Sequence, residues 1–304
     1  MPISGTGTSS DPFMVHTALE LRYALTATDA YVKLANHIDC DVDCPKWKTL
    51  NVGAVDLELN NFDILKIYAV DDTIVFNKVG GRFTIHGGRI LNLTMVGSVF
   101  NVSNYGNEGV DEERYNNVLV DVGISLKATG CGTSGYLFNR GTYFNRCNVG
   151  GDKSGRLGVE TTLPNASHHV FSISAIASAG VLFDDSWLAL HTNNQDAASS
   201  QTYPFGFAGN FRHSRVECLT DVQGAFGNYA LGSSSSAKES VFELKGNPNY
   251  SFVKLSSTSS GINVFNSSEM TISSPTTAEI GCTTEQIRNS AYLNSVGFYN
   301  QGVG

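Results

Sequence analysis

The stretch Phe211-Arg212-His213-Ser214-Arg215-Val216-Glu217-Cys218 is one copy of a frame that recurs in the second half of the chain. A small anchor residue sits at its centre, and four of the five copies carry Phe three positions before the anchor. Apolar residues follow the anchor by two positions and, in four copies, by four, which is the alternation of a β-strand. The copies span residues 144–149, 183–190, 211–218, 237–244 and 265–272, with anchors at Cys147, Ser186, Ser214, Ser240 and Ser268.

The spacing of the anchors predicts the fold class. Successive anchors lie 39, 28, 26 and 28 residues apart, and one short strand per repeat at a period near 27 is typical of a solenoid. The copies lack a helical pattern, which excludes leucine-rich, ankyrin and tetratricopeptide repeats. A β-propeller needs blades of about 40 residues. The sequence therefore predicts an all-β parallel solenoid, in which the anchors of neighbouring coils stack.

The same frame predicts which side chains face outward. Because side chains alternate along a strand, residues two and four after each anchor should point into the core, and residues one and three after it should point out. One outward column then contains Asn148, Trp187, Arg215, Val241 and Glu269, and the next contains Ala189, Glu217, Glu243 and Thr271.

A helix is predicted near the start of the chain. Thr17 can cap its N-terminus, and Glu20, three positions on, can reach back to the cap. Leu21, Ala24 and Leu25 share an apolar face, so the pattern indicates a short amphipathic helix from residue 17. A further helical turn is expected over residues 284–288.

The chain resembles right-handed parallel β-helix proteins, and within them the phage tailspike and neck-appendage group. The resemblance rests on the Gly-Thr-Gly-Thr-Ser-Ser-Asp-Pro-Phe opening from Gly5 with the capping helix that follows it, on the anchor ladder, and on a composition rich in Ser, Thr, Asn and Gly and poor in charge. It implies that the helix plugs the N-terminal mouth of the solenoid and shields the open edge of its first coil. We expect a cap over residues 1–46, a β-helix of nine or ten coils, roughly 45 Å long, over residues 47–280, and a C-terminal cap or tail over residues 281–304.

Composition and charge exclude several classes of protein. Of 304 residues, 41% are hydrophobic and 16% are charged, with a net charge of −8 and no basic cluster, so a nucleic-acid partner is not expected. No apolar run approaches the ~18 residues of a membrane helix, so membrane insertion is not expected either. The first residues lack the basic and apolar segments of a secretory signal, which favours a virion protein made in the host cytoplasm.

The six cysteines show no CxxC pair and no His at zinc-ligand spacing, so we expect reduced thiols, no metal and no cofactor. If a disulfide exists, Cys40 and Cys44 form the first pair to suspect. Asp184 and Asp185 are interpreted as turn residues, since Asp commonly bonds to local backbone there. His168 and His169 are adjacent on a predicted strand, where their side chains must point to opposite faces.

Glu217, Glu243 and Arg215 are the candidate catalytic residues, with the two carboxylates at their centre. Coils stack at about 4.8 Å, so these two carboxylates should be neighbours, and a separation near 5 Å is that of a retaining glycosidase. Two alternatives stay open. Arg215, two residues before Glu217, can neutralise the pair, or the acidic pair can bind a glycan or a cation.

Trp187, together with Arg215 and Glu217, is the candidate surface for contact with a glycan or a partner. An outward Trp often serves as a stacking platform for a sugar ring. It can instead lie under a loop such as residues 193–204 or in a subunit contact, or it can face the core if the predicted register is wrong by one residue.

Motifs of sugar-cleaving β-helices are incomplete here. Asp71-Asp72 followed by His86-Gly87-Gly88-Arg89 resembles part of the polygalacturonase pattern. However, residue 85 is Ile, no Lys follows Arg89 by two positions, and the spacing would place the two pieces on different faces.

The residues and the resemblance point to two functions. The first is a non-enzymatic spike or appendage of a phage particle, a homotrimer that contacts other virion proteins or host surface polysaccharide. The second is a polysaccharide depolymerase, a hydrolase or lyase, on the same fold. A bacterial surface adhesin is a third option that needs an export signal.

Overall fold

The computed structural model describes residues 3–102, 118–130, 138, 141–150, 159–162, 181–193, 210–220, 236–245, 252–253, 261–266, 271–272 and 279–298. Short β-strands dominate these ranges. The strands in the first half are β1 Phe13–Val15, β2 Ala30–Leu34, β3 Ile38–Asp39, β4 Asn51–Val52, β5 Val55–Glu58, β6 Asp63–Leu65, β7 Tyr68–Lys78, β8 Phe83–Val102, β9 Val118–Gly130, β10 Thr142–Asn145 and β11 Asn148–Gly150. Those in the second half are β12 Val159–Thr162, β13 Val181–Asp184, β14 Trp187–Asn193, β15 Asn210–Arg212, β16 Arg215–Thr220, β17 Ser236–Lys238, β18 Val241–Lys245, β19 Phe252–Val253, β20 Asn263–Asn266, β21 Thr271–Ile272 and β22 Glu279–Cys282.

The strands pair in parallel with strands roughly one repeat further along the chain. One ladder runs β1–β2–β5–β8–β9–β10–β13–β15–β17, and a second runs β11–β14–β16–β18–β20–β22. A parallel partner about 25 residues away requires the chain to complete a full coil before it returns. The protein is therefore an all-β parallel solenoid, as the repeat predicts.

The anchors stack in the predicted register. Asn148 lies opposite Trp187, Trp187 opposite Arg215, and Arg215 opposite Val241. These pairs align Cys147, Ser186, Ser214 and Ser240, one residue earlier, in a single inward column. The first four copies of the frame are therefore confirmed.

The predicted register of the fifth copy is wrong. Val241 pairs with Val264, so the anchor position of the next coil falls on Asn263 and not on Ser268, which lies outside the described residues. Asn263 acts as an anchor: its Oδ1 accepts from the Ser240 N–H at 3.1 Å, and its Nδ2 donates to the Ala237 carbonyl at 3.3 Å. Asn263 was not predicted as an anchor, because the other anchors are the smaller residues Cys and Ser.

Phenylalanine rings fill the interior in an almost continuous column. Phe144 and Phe183 stack with centroids 4.6 Å apart, and Phe183 and Phe211 stack at 5.5 Å. At β17 the paired position is Ala237, and the column moves to Phe242, which meets Phe211 edge-on at 86°. The larger ring on the next strand fills the space that the small Ala237 leaves, and this keeps the core close-packed.

The N-terminal helix α1 spans Ala18–Ala24, and Thr17 is its N-cap, as predicted. The Glu20 N–H donates to Thr17 Oγ1 at 3.1 Å, while the Glu20 carboxylate accepts from the N–H of His16 rather than of Thr17. Leu21 is fully buried in the main core. The predicted segment is thus a helix packed on the solenoid, and its role as a plug of the first coil stays a prediction.

A second helical turn, α2 Cys40–Asp43, was not predicted. The Asp39 side chain caps it by accepting from the Asp41 N–H at 3.1 Å. The Asp43 carboxylate then accepts from the first N–H groups of α1, those of Ala18 and Leu19, at 3.3 Å each. The short α2 turn therefore supplies the carboxylate that binds the start of α1.

The C-terminal segment covers part of the outer wall. A 3-10 turn at Gln286–Arg288, within the turn expected over residues 284–288, precedes an unpredicted helix α3 at Ser290–Ser295. Their apolar side chains form a second core with Val241, which is only 4% exposed although it points outward. The members of this second core are Val241, Val264, Cys282, Ile287, Leu293 and Phe298. Nowhere in the described ranges is a helix long and apolar enough to cross a membrane.

Candidate functional site

A sharp bend precedes the anchor in four successive coils, and it carries charged side chains. Arg146, Asp185, His213 and Glu239 each have a positive φ between 45° and 54°. This left-handed conformation turns the chain between two faces of a coil, and Asp and His are among the residues that tolerate it best. Backbone hydrogen bonds tie consecutive bends together, since the Asp185 N–H donates to the Arg212 carbonyl at 3.0 Å. The bend therefore presents a column of ionisable groups along the solenoid.

Asp184 lies beside this column and is held by two donors. Tyr143 Oη donates to Asp184 Oδ2 at 2.9 Å, and Arg212 Nη2 donates to the same oxygen at 2.5 Å. Burial acts to raise the pKa of Asp184, but the hydrogen bonds from Arg212 and Tyr143 outweigh it and hold the pKa below its usual range. Burial, and then the bond to Asp184, raises the pKa of Tyr143 to about 12. Asp184 is thus an ionised, nearly buried carboxylate at neutral pH.

His213 brings the neighbouring bends into contact. Its Nδ1 lies 3.4 Å from Asp184 Oδ1 and 3.7 Å from Asp185 Oδ1, and its Nε2 lies 3.0 Å from Glu239 Oε2. The ligand-type atoms of Asp184, Asp185 and His213 all fall within 4.8 Å of one another, a spacing compatible with a metal ion.

On the other side of the bend lies the predicted contact surface. Trp187 is partly exposed and pairs with Arg215 on the next coil, so the outward register of this column is correct. Glu217 lies two residues further along the same strand, and its side chain is 23% exposed. The structure therefore brings Trp187, Arg215 and Glu217 together on one outer face.

The two candidate carboxylates are neighbours, as predicted. Glu217 pairs with Glu243 on the next coil. Arg215 donates from Nε to Glu217 Oε1 at 2.8 Å and from Nη2 to Glu243 Oε2 at 2.7 Å, so one guanidinium bridges both carboxylates. Neutralisation of the two carboxylates by Arg215 is one of the alternatives that the sequence analysis left open. The catalytic assignment of the pair stays a prediction.

Arg288 is a member of this group that the sequence did not indicate. It arrives on the C-terminal 3-10 turn and donates to Glu243 Oε1 from both Nε, at 2.9 Å, and Nη2. The bond to Glu243 raises the pKa of the Arg288 guanidinium. Glu243, whose side chain is 1% exposed, is therefore held between two arginines. Arg288 lies outside the repeat frame, so no periodic signal could have identified it.

His86 and Arg89, the second piece of the incomplete polygalacturonase pattern, form contacts with carboxylates of a neighbouring coil. His86 Nε2 lies 2.9 Å from Asp56 Oδ1, and Arg89 forms a two-pronged bond to Asp63 at 2.8 and 2.9 Å. Both carboxylates come from the preceding coil, so these contacts join adjacent coils. The side chains of Asp71-Asp72, and all of His168 and His169, lie outside what the structure describes, as does Glu269.

Of the six cysteines, Cys40, Cys44, Cys147 and Cys282 are buried thiols. Burial raises the pKa of Cys40 and of Cys147, which keeps both protonated at neutral pH. Cys131 and the side chain of Cys218 lie outside the described part of the chain.

No protein-family model matches the sequence, and no curated protein matches it. Among solved structures, the chain is similar to one described as that of "a putative immunoglobulin A1 protease from Bacteroides ovatus", with 12% sequence identity and a TM-score of 0.48. The match covers 96% of this chain and 90% of that chain. A likeness at this identity gives no information about what the present chain binds.

Proposed function

We propose that this protein is a non-enzymatic structural component of a phage particle, a right-handed β-helical spike or appendage that contacts host-surface glycans. The proposal includes the N-terminal cap formed by α1 and assembly into a homotrimer that meets other virion proteins. The resemblance of the repeat and of the opening segment to tailspike and neck-appendage proteins supports the virion assignment. The outer face of β14 and β16 supports the glycan assignment.

The observation that carries the glycan assignment is the grouping of Trp187, Arg215 and Glu217 on one outer face. A sugar ring is bound by an aromatic surface for its C–H face and by charged or amide groups for its hydroxyls. The indole and Arg215 lie on paired positions of adjacent coils, about 4.8 Å apart, and Glu217 lies two residues further along the same strand, which suits a single sugar unit or two.

The charges on this face favour binding over hydrolysis. A retaining glycosidase needs one carboxylic acid that is protonated at the working pH beside one that is ionised. Arg215 contacts both Glu217 and Glu243, and Arg288 contacts Glu243 a second time. Both carboxylates therefore already bind guanidinium groups, which makes them an ion-pair network rather than a free acid beside a free nucleophile.

The test is retention of the purified chain on capsular polysaccharide and lipopolysaccharide isolated from bacterial hosts, followed by an assay for new reducing ends. We expect binding without cleavage. Trp187→Ala should weaken retention at least about fivefold, since a stacking contact contributes about 1–3 kcal/mol. Tyr23→Ala is the matched control, because Tyr23 is 65% exposed on α1.

Two results would contradict the proposal. New reducing ends or unsaturated sugar ends would favour the depolymerase. Equal retention of the Trp187→Ala and wild-type proteins would remove the glycan-contact role of this face.

A further inference from the structure

We propose that Asp184, Asp185 and His213 form a binding site for a divalent first-row transition-metal ion, of which Zn²⁺ is the probe. The site lies at the bend between β13 and β14 and the bend between β15 and β16. Its three ligand atoms are Asp184 Oδ1, Asp185 Oδ1 and His213 Nδ1.

The distances fit an ion of this size. Zn²⁺ binds nitrogen and carboxylate oxygen at about 2.0–2.2 Å, which places two ligands of a tetrahedral site about 3.4 Å apart. His213 Nδ1 lies 3.4 Å from Asp184 Oδ1 and 3.7 Å from Asp185 Oδ1. All three atoms can therefore reach one ion with small side-chain adjustments.

Asp184 supplies an independent indication of a ligand. Its side chain is 9% exposed, and Oδ1 is buried and accepts no hydrogen bond from any residue that the structure describes. Tyr143 and Arg212 both bind the other oxygen, Oδ2. A carboxylate oxygen that is buried without a donor is unfavourable unless a cation satisfies it. Because Oδ1 faces His213 and Asp185, the ion that satisfies it would lie at the proposed site.

Glu239 contacts the ring nitrogen of His213 that faces away from the proposed ion. With an ion bound at His213 Nδ1, the ring hydrogen lies on Nε2 and donates to Glu239 Oε2, 3.0 Å away. A carboxylate behind a metal-binding imidazole is the usual arrangement in proteins, since it fixes the tautomer and makes the ring a better donor to the metal.

The ligand set selects the class of ion. Two carboxylates and an imidazole suit Zn²⁺, Mn²⁺ or Co²⁺, whereas Ca²⁺ and Mg²⁺ prefer oxygen ligands alone. Arg212 offsets part of the negative charge at Oδ2 without occupying Oδ1. The side chains of Asp185 and His213 are 40% and 36% exposed, so the remaining coordination positions are open to water.

The experiment is calorimetric titration of the full chain, purified in the presence of a chelator, with Zn²⁺. We expect one ion per chain. Asp185→Asn and His213→Asn should each raise the Kd at least tenfold, and Asn tolerates the left-handed backbone at both positions. His86→Gln is the matched control, because His86 contacts the single carboxylate of Asp56, and its Kd for Zn²⁺ should equal that of the wild type.

Titration with Co²⁺ identifies the ligands. An absorption spectrum with d–d bands and no thiolate charge-transfer band supports the site, while a charge-transfer band would assign binding to cysteines and overturn the proposal. Absence of Zn²⁺ binding, or equal affinity in the Asp185→Asn variant, would also overturn it. If His213→Asn fails to fold, Asp185→Asn decides, since that side chain is 40% exposed.

Discussion

At the scale of single residues, the anchor column explains why small hydroxyl side chains recur. The Ser186 N–H donates to Ser214 Oγ at 3.2 Å, and the Ser214 N–H donates to Ser240 Oγ at 3.2 Å. Each hydroxyl in turn donates to a carbonyl two residues earlier in its own coil, as Ser214 Oγ does to Arg212 O at 2.8 Å. The ladder satisfies backbone N–H groups that are buried where the chain bends and that have no strand partner. A purely apolar anchor could not do this.

Ser214→Ala should lower the free energy of unfolding by about 1–3 kcal/mol, because the Ser186 N–H is left buried without its acceptor. Chemical denaturation followed by circular dichroism measures the change. Ser9→Ala, at an exposed position, should change it by no more than about 0.5 kcal/mol. Equal stability of the two variants would show that the ladder contributes nothing.

At the scale of elements, the two ends of the chain are attached by different chemistry. At the N-terminal end, α1 buries Leu21 in the main core while Leu19 on its other side is 43% exposed. At the C-terminal end, the 3-10 turn and α3 bury the outward side chain of Val241 and bring Arg288 onto Glu243. The C-terminal attachment therefore combines apolar burial with an ion pair to a nearly buried carboxylate, whose loss of partners would be costly.

The proposed cap can be tested on α1. Leu21→Asp should detach the helix and expose the edge of the first coil, so the protein should keep its β-sheet circular dichroism yet self-associate. Leu19→Asp should remain as soluble as the wild type, because the new carboxylate faces water. Size-exclusion chromatography separates the outcomes, and a soluble, undisturbed Leu21→Asp protein would count against the cap.

At the scale of the whole molecule, the parallel ladder stacks coils into one column around a shared core of aliphatic and phenylalanine side chains. A solenoid of this kind is stable through contacts between nearest coils, so the outward-facing side chains are not needed to hold the coils together. The low charge of the chain, 16% of residues, reduces the cost of desolvation when two such walls meet.

We expect a homotrimer with closed three-fold symmetry. Multi-angle light scattering should give three times the chain mass at micromolar concentration in low salt and in physiological salt. A persistent monomer under both conditions would refute the trimer. If Trp187→Ala assembles as the wild type does, the indole is not part of the subunit contact.

Counting along the sequence was enough to set the coil register over four repeats. Each coil contributes its anchor at a nearly fixed interval, and a strand has a side-chain period of two, so the count aligns Trp187 with Arg215 and Glu217 with Glu243. The same count places Asp185 and His213 at one position of adjacent coils. It does not show that their side chains converge on Asp184, since rotamers are set by local packing.

The neutralisation of charges and the covering of outward residues depend on the tertiary structure. Arg288 reaches Glu243 across 45 residues, and the C-terminal segment buries Val241, although no periodic rule predicts either contact. The Asn263 anchor is likewise visible only from the strand pairing and from its two hydrogen bonds. Repeats specify contacts between equivalent positions of neighbouring coils, whereas the non-repeating end of the chain is placed by the apolar and charged surface that the finished coils present to it.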